Sequence, residues 1–224
     1  SAVLKEVGAN AIARSEAVET YALCTQLRSN LAASLFTSLP DDRQIVVLDM
    51  GMAMAATVDL FSQFKSKLLF VDLYSEPFIA DIGDDASHSE LVLQFRRGLG
   101  LEQHMIIDIC LFWDFFNYLD GRLLKAFAEA LKPNVGRYTR GFGLGVLNAR
   151  CQLPHSCYGL MSDSSLTQCP RDGEPMPVCP HSQRDLNDFL GYLEIDKSRL
   201  MADGRVEYLL AWHDPEEPAL QPIF

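Results

Sequence analysis

No stretch of this chain approaches the about 20 uninterrupted apolar residues that a membrane-crossing helix needs, which argues against a helical membrane protein. Positive charge is scarce. Lys and Arg number 19 against 30 Asp and Glu, a formal net charge of −11. A field of that sign repels phosphate backbones and argues against general nucleic-acid binding. Close cysteine pairs are missing too: Cys24, Cys110, Cys151, Cys157, Cys169 and Cys179 contain no Cys-x-x-Cys unit. The opening stretch, Ser1 to Asn10, carries Lys5 and Glu6 and has no compact apolar region, so no signal peptide is read there. These absences predict a cytoplasmic chain with reduced, free cysteines and no bound metal. What is present is a full core composition. Over 224 residues, 48% are hydrophobic and 22% charged, which fits one globular domain spanning 1–224 and leaves no room for disorder as the main theme.

Apolar residues from Val3 to Leu35 recur mostly at steps of three and four, which predicts a helical segment over 1–40, stopped by Pro40-Asp41-Asp42. Ile45 to Asp49 is a short continuous apolar run of the kind a strand buried on both faces shows. A helical stretch from Ala55 to Phe64 follows, then a second apolar run, Leu68 to Val71, ending at Asp72. Between Tyr74 and His104 the pattern is weaker, with a polar loop around Asp81 and Asp84, a helix over Glu90 to Leu99 and room for a third strand. Met105 to Phe112 reads as a strand, Leu123 to Leu131 as a helix, and the glycine-rich Arg137 to Leu147 as a further strand. The proline-rich span 151–181 reads as a loop insertion, and long loops in compact domains are often functional lids. Ser182 and Asp185 form a capping pair before Leu186, Phe189, Leu190 and Leu193. Ser198 to Met201 and Arg205 to Trp212, joined at Asp203-Gly204, read as a β-hairpin. Strands alternating with helices predict an α/β fold. Its mostly parallel sheet is covered by helices on both faces and carries a C-terminal antiparallel β-hairpin.

Three acidic residues, Asp49, Asp72 and Asp108, fall at predicted strand ends and are expected along the rim where such sheets bind ligands. A carboxylate at the end of the second strand suits a ribose diol, so the pattern points to a nucleoside-containing ligand.

With those residues in place, the order of elements resembles class I S-adenosylmethionine-dependent methyltransferases, a Rossmann-like fold. The resemblance rests on Val47-Leu48-Asp49-Met50-Gly51, Phe70-Val71-Asp72, Ile107-Asp108, the aromatic segment Phe112 to Asp120, Leu131-Lys132-Pro133 and the terminal hairpin. It implies S-adenosylmethionine as cofactor, held by Asp49, Gly51, Ala53, Asp72, Asp108 and Trp113, with Trp113 as a pocket wall and Asp72 on the ribose. It implies methyl transfer to a small molecule or a protein. Such a transfer needs positioning more than a strong base, so no catalytic residue is singled out. The family's alternating glycines are reduced here to Gly51-Met52-Ala53-Met54-Ala55, and Pro133-Asn134-Val135-Gly136 stands for the usual Pro-Gly-Gly. An alanine at positive φ is strained where a glycine is not. The departure supports an alternative reading: a catalytically silent member of the fold, serving as a binding or scaffold subunit with a protein partner or a second copy of itself. A Rossmann-type protein for another nucleotide is a third reading.

Other features are weaker. Cys151, His155, Cys157, Cys169, Cys179 and His181 have spacings unlike those of zinc sites. Arg137, Arg140, Arg150 and Arg171 concentrate positive charge, but a solvated loop explains them. Gly141, Gly143 and Gly145 lack the strand-before, helix-after context of a dinucleotide loop.

Overall fold

A computed structural model describes residues 23–37, 39–75, 85–146 and 153–213. Its main sheet has six strands in the order β3-β2-β4-β5-β9-β8. They are β2 (Ile45–Asp49), β3 (Ser66–Phe70), β4 (Ile109–Trp113), β5 (Arg140–Val146), β8 (Leu193–Leu200) and β9 (Arg205–Trp212). Strands β3, β2, β4 and β5 run parallel, while β9 pairs antiparallel with both β5 and β8. This is the Rossmann-like α/β arrangement with a terminal antiparallel hairpin. From β2 the chain moves one way to β3, and the later strands β4 and β5 lie on the other side. The switch point of the topology is therefore between the C-terminal ends of β2 and β4.

One face of the sheet carries α2 (His88–Leu99), α3 (Gly121–Leu131) and α4 (Gln183–Leu190). Leu91, Phe95, Leu123, Phe127, Leu131, Leu186 and Leu190 from these helices pack with Cys110, Phe112 and Phe116 into one core. The helices start as their sequences specify. Ser87 with Glu90 and Ser182 with Asp185 form capping boxes, and Asp120 accepts the Leu123 N–H. Tyr74 to His104 holds α2 as expected; the third strand allowed for there is absent from its described part, and 76–84 lie outside the description.

The other face differs from expectation. The helical segment read over 1–40 is, in its described part, a strand β1 (Thr25–Arg28) and a 3-10 turn (Ala32–Phe36); 1–22 lie outside the described residues. The 151–181 loop contains a hairpin, β6 (Ser156–Ser162) and β7 (Ser165–Pro170). Strands β1, β7 and β6 make a second, three-stranded antiparallel sheet. Prolines at the flanks hid it: Pro154, Pro175, Pro177 and Pro180 lie outside the strands, and Pro170 is the last residue of β7. Helix α1 (Ala55–Phe61) and this sheet cover a second core that includes Leu35, Val47, Phe61, Trp113, Tyr158 and Leu160. The cysteines are also not all free. Cys24 and Cys169 are joined in a disulfide, whereas Cys110, Cys157 and Cys179 are free thiols and Cys151 lies outside the described residues.

The glycines of β5 have a packing role. A β-carbon on Gly141 would come within 2.8 Å of the Phe112 ring, and one on Gly145 would overlap the Tyr208 ring. Their absence of side chain lets aromatic rings lie flat on the sheet.

Candidate functional site

The switch point is occupied by the chain's own side chains. Asp49 ends β2 and is buried, at 1% exposure. Its Oδ1 accepts the Gly51 N–H at 2.9 Å and the Trp113 indole N–H at 2.6 Å. Its Oδ2 is buried with no hydrogen-bond partner among the described residues. Burial pushes the carboxyl up to about 7, with the Trp113 and Gly51 donors pulling the other way and nearby Asp72 adding to the rise.

Trp113 ends β4 with φ 52°, in the left-handed region that bulky residues rarely enter. The register of β4 against β5 shifts between Leu111 and Trp113. The turn carries the indole across to Asp49, and it stacks on Tyr158 of β6 with ring centroids 5.6 Å apart. Trp113 is thus not an exposed pocket wall but a buried plug, 1% exposed. A β-carbon on Gly51 would lie 3.3 Å from the indole, so the close backbone approach that a glycine permits is taken by tryptophan.

Asp72 lies just beyond β3, on the rim as expected, and is matched by Arg171 from the insertion. The Arg171 Nη2 donates to both carboxylate oxygens at 2.6 Å, and its guanidinium lies over the Tyr74 ring at 4.7 Å. Arg171 is therefore an ion-pair residue of the rim, not part of a solvated basic loop. Asp108 is not on the rim. It precedes β4, at the opposite end of the sheet, where it takes two donors from Arg43 and the Val46 N–H. The strand runs Ile109 to Trp113, later than the sequence pattern suggests, so the carboxylate that reaches the rim is Asp114.

Asp114, which the sequence places near the rim without a ligand role, is held there by three phenols. Fully buried, it accepts from Tyr74 at 2.6 Å, Tyr158 at 3.0 Å and Tyr118 at 3.3 Å. Burial raises it, the three phenols lower it, and the tyrosines are themselves raised by burial and by its charge. Arg205 of β9 donates to the Tyr158 hydroxyl at 3.0 Å and closes the network. Asn117 ties the same region together, donating to the carbonyls of Asp114 and Leu144. The one signal available in the sequence was the alternation of aromatic and polar residues from Phe112 to Tyr118. The phenols of Tyr74 and Tyr158 come from segments 40 and 44 residues away and left no local mark.

Beyond the buried Gly51, the glycine-loop region runs at the surface. Ala53 and Ala55 are exposed, Met52 is 46% exposed, and the buried methionine is Met50. Met54 packs toward the insertion, since a β-carbon on Gly159 of β6 would lie 2.9 Å from its own. Met54, Asp59, Met161, Thr167 and Cys169 line a groove of about 350 Å³ there. Among the described residues no cluster of three or more His, Cys, Asp or Glu is placed to hold a metal, and no helix is long and apolar enough to cross a membrane.

No protein-family model and no curated protein matches the chain. Among solved structures it is similar to the pyocyanin biosynthetic protein PhzM, at 12% identity and TM-score 0.42, over 82% of this chain and 55% of that one. The chain thus spans about half the length of that protein. It is similar to an S-adenosylmethionine-dependent methyltransferase from Clostridium acetobutylicum at 18% identity and TM-score 0.40, over 77% and 85% of the two chains. A third likeness is to the Burkholderia thailandensis 1,6-didemethyltoxoflavin-N1-methyltransferase with bound 1,6-didemethyltoxoflavin and S-adenosylhomocysteine. There the identity is 13% and the TM-score 0.44, over 94% and 86%.

Proposed function

We propose that this chain is a methyltransferase-like protein whose adenosyl-cofactor rim is closed by its own side chains, and that it works as a binding or scaffold subunit. The observation that carries this is the Arg171–Asp72 pair: both carboxylate oxygens expected to meet a ribose diol already accept from a guanidinium. Trp113 lies on the acid and the glycine that would receive the rest of the cofactor. As they stand, these residues do not fit an adenosyl group. Bringing one in would require Arg171 and Trp113 to leave, stranding two buried polar contacts. A binding role needs no open rim; its partner is a protein or a second copy of this chain.

A second reading is favoured by one observation. The unpartnered Oδ2 of Asp49 leaves a buried acceptor for a ligand donor. On that reading the insertion moves aside, S-adenosylmethionine binds at Asp49, Gly51, Ala53, Asp72 and Trp113, and a small molecule or protein is methylated. One titration separates the two. Thermal shift with S-adenosylhomocysteine is expected to be flat for the wild type and to gain a response in Arg171→Met, which removes the guanidinium from Asp72. A ligand at 100 times its Kd stabilises by about 2.7 kcal/mol, well within detection. Micromolar binding by the wild type would overturn the closed-rim reading in favour of the enzyme.

A further inference from the structure

Strand β7 lies between β1 and β6, and its register is set on both sides. Thr25 stands opposite Gln168, so one further step along the same register sets Cys24 against Cys169, and those two form the disulfide. On the other side Cys157 stands directly opposite Cys169. Directly opposed residues point to the same face of a sheet. Three sulfur-bearing side chains therefore form a row across the small sheet, Cys24, Cys169 and Cys157, with Cys169 in the middle. The Cys157 sulfur lies 3.6 Å from the Cys169 carbonyl oxygen and 3.7 Å from that of Pro170.

The two flanking pairs are of different kinds. Ser29 donates its N–H to the Ser164 carbonyl, and alternation along the ladder from that hydrogen-bonded pair makes Cys24 and Cys169 a narrow, non-hydrogen-bonded pair. Their Cα separation of 4.2 Å agrees. Arg171 donates its N–H to His155, so two residues on, Cys157 and Cys169 are a wide, hydrogen-bonded pair with Cα atoms about 5.5 Å apart. That spacing is within the usual ~4.4–6.8 Å Cα range of disulfides, but Cβ atoms about 5.5 Å apart in such a pair must draw in to about 4 Å for the bond to close. A local shift of β6 toward β7 therefore brings Cys157 to the central sulfur.

We propose that Cys169 is the shared sulfur of an internal thiol–disulfide exchange in which Cys157 replaces Cys24 and so unfastens β1 from β7. The Cys157 thiol gives its proton to water and its thiolate attacks the Cys169 sulfur. The Cys24–Cys169 bond breaks as the Cys157–Cys169 bond forms, and Cys24 leaves as a thiolate that takes up a proton. No net oxidation occurs. The leaving residue, Cys24, is half-buried, whereas Cys157 and Cys169 are buried. Burial holds the Cys157 thiol up, so the exchange quickens as pH rises.

Differential alkylation tests this. Wild-type protein is held without added reductant at neutral and at mildly alkaline pH, quenched in acid, labelled with N-ethylmaleimide and mapped in non-reducing digests. With rising pH, labelling of Cys24 is expected to grow and that of Cys157 to fall equally, with the total unchanged and a Cys157–Cys169 peptide appearing. In Cys157→Ser, Cys24 stays unlabelled. In Cys24→Ser treated with oxidised glutathione, Cys157 and Cys169 are expected to join, their two thiols oxidised as the glutathione disulfide is reduced. The proposal is overturned by Cys157 remaining fully labelled in the wild type while Cys24 stays bridged. It is equally overturned by two alkylatable or glutathionylated thiols in Cys24→Ser.

Discussion

At the residue scale the decisive groups are the three carboxylates of the rim, each dealt with differently. Asp72 is paired with an arginine, Asp114 is held by hydrogen bonds from three phenols, and Asp49 takes two N–H donors while burial raises its pKa. Asp49 makes a pH prediction. Its unfolded value is near 4 and its folded value about 7, so between them the folded chain binds more protons than the unfolded chain. Stability therefore falls as pH rises through that window and levels off above it. Asn at this position cannot ionise and should remove the slope. From pH 5 to pH 8 the wild type is expected to lose on the order of 2 kcal/mol relative to Asp49→Asn in urea melts. Parallel pH profiles for the two proteins would show that Asp49 does not hold a proton in the folded state.

At the element scale, β5 serves the site by packing: its Leu144 carbonyl accepts from Asn117 and its Phe142 ring meets Trp113 edge-on. Its alternating glycines lie under Phe112, Leu210 and Tyr208, letting β4 and β9 press their rings onto it. Gly145→Ala adds a methyl where the Tyr208 ring lies and should cost about 1–3 kcal/mol by overpacking. Pairing it with Tyr208→Leu should recover part of that loss, because the clash is with the ring. A Gly145→Ala protein as stable as the wild type in denaturant melts would mean the ring has room to move. The insertion hairpin is the other element that matters. It supplies Tyr158, and Arg171 just past its end, so its docking and the closure of the rim are one event.

At the scale of the whole molecule, two sheets are tied together by long-range contacts. Glu207 of β9, fully buried, accepts from the Ser29 hydroxyl at 2.6 Å and the Asn30 N–H at 2.8 Å. The Cys24–Cys169 bond spans 145 residues. Closing so long a loop restricts the unfolded chain, and its reduction should cost about 2–5 kcal/mol. The check is the melting temperature with and without a dithiol reductant, alongside Cys24→Ser. A Cys157–Cys169 bond closes only 12 residues and by the same chain entropy restores about 3 of about 5 kcal/mol, so the oxidised variant should melt between the reduced and the oxidised wild type. Equal melting temperatures for the oxidised and reduced wild type would show that the bond does not stabilise the fold.

The parallel strands, the helices of one face and the terminal hairpin were legible because each is specified locally: continuous apolar runs at β2, β3 and β4, the capping pair at Ser182, and alternation along β9. Asp49 and Asp72 were legible as rim carboxylates for the same reason, since a strand end fixes where its last side chains stand. Tertiary structure alone decided the rest. Asp108 fell to the far end because β4 starts one residue after it, and a shift of a few residues exchanges the two ends of a short strand. The β6–β7 hairpin was obscured by flanking prolines and is held by pairing with β1, a strand whose partner lies about 140 residues away. Trp113, Arg171 and Tyr158 close the rim through contacts between segments distant in sequence. Their bonding depends on where three-dimensional packing leaves a carboxylate in need of a donor, and periodicity carries no record of that.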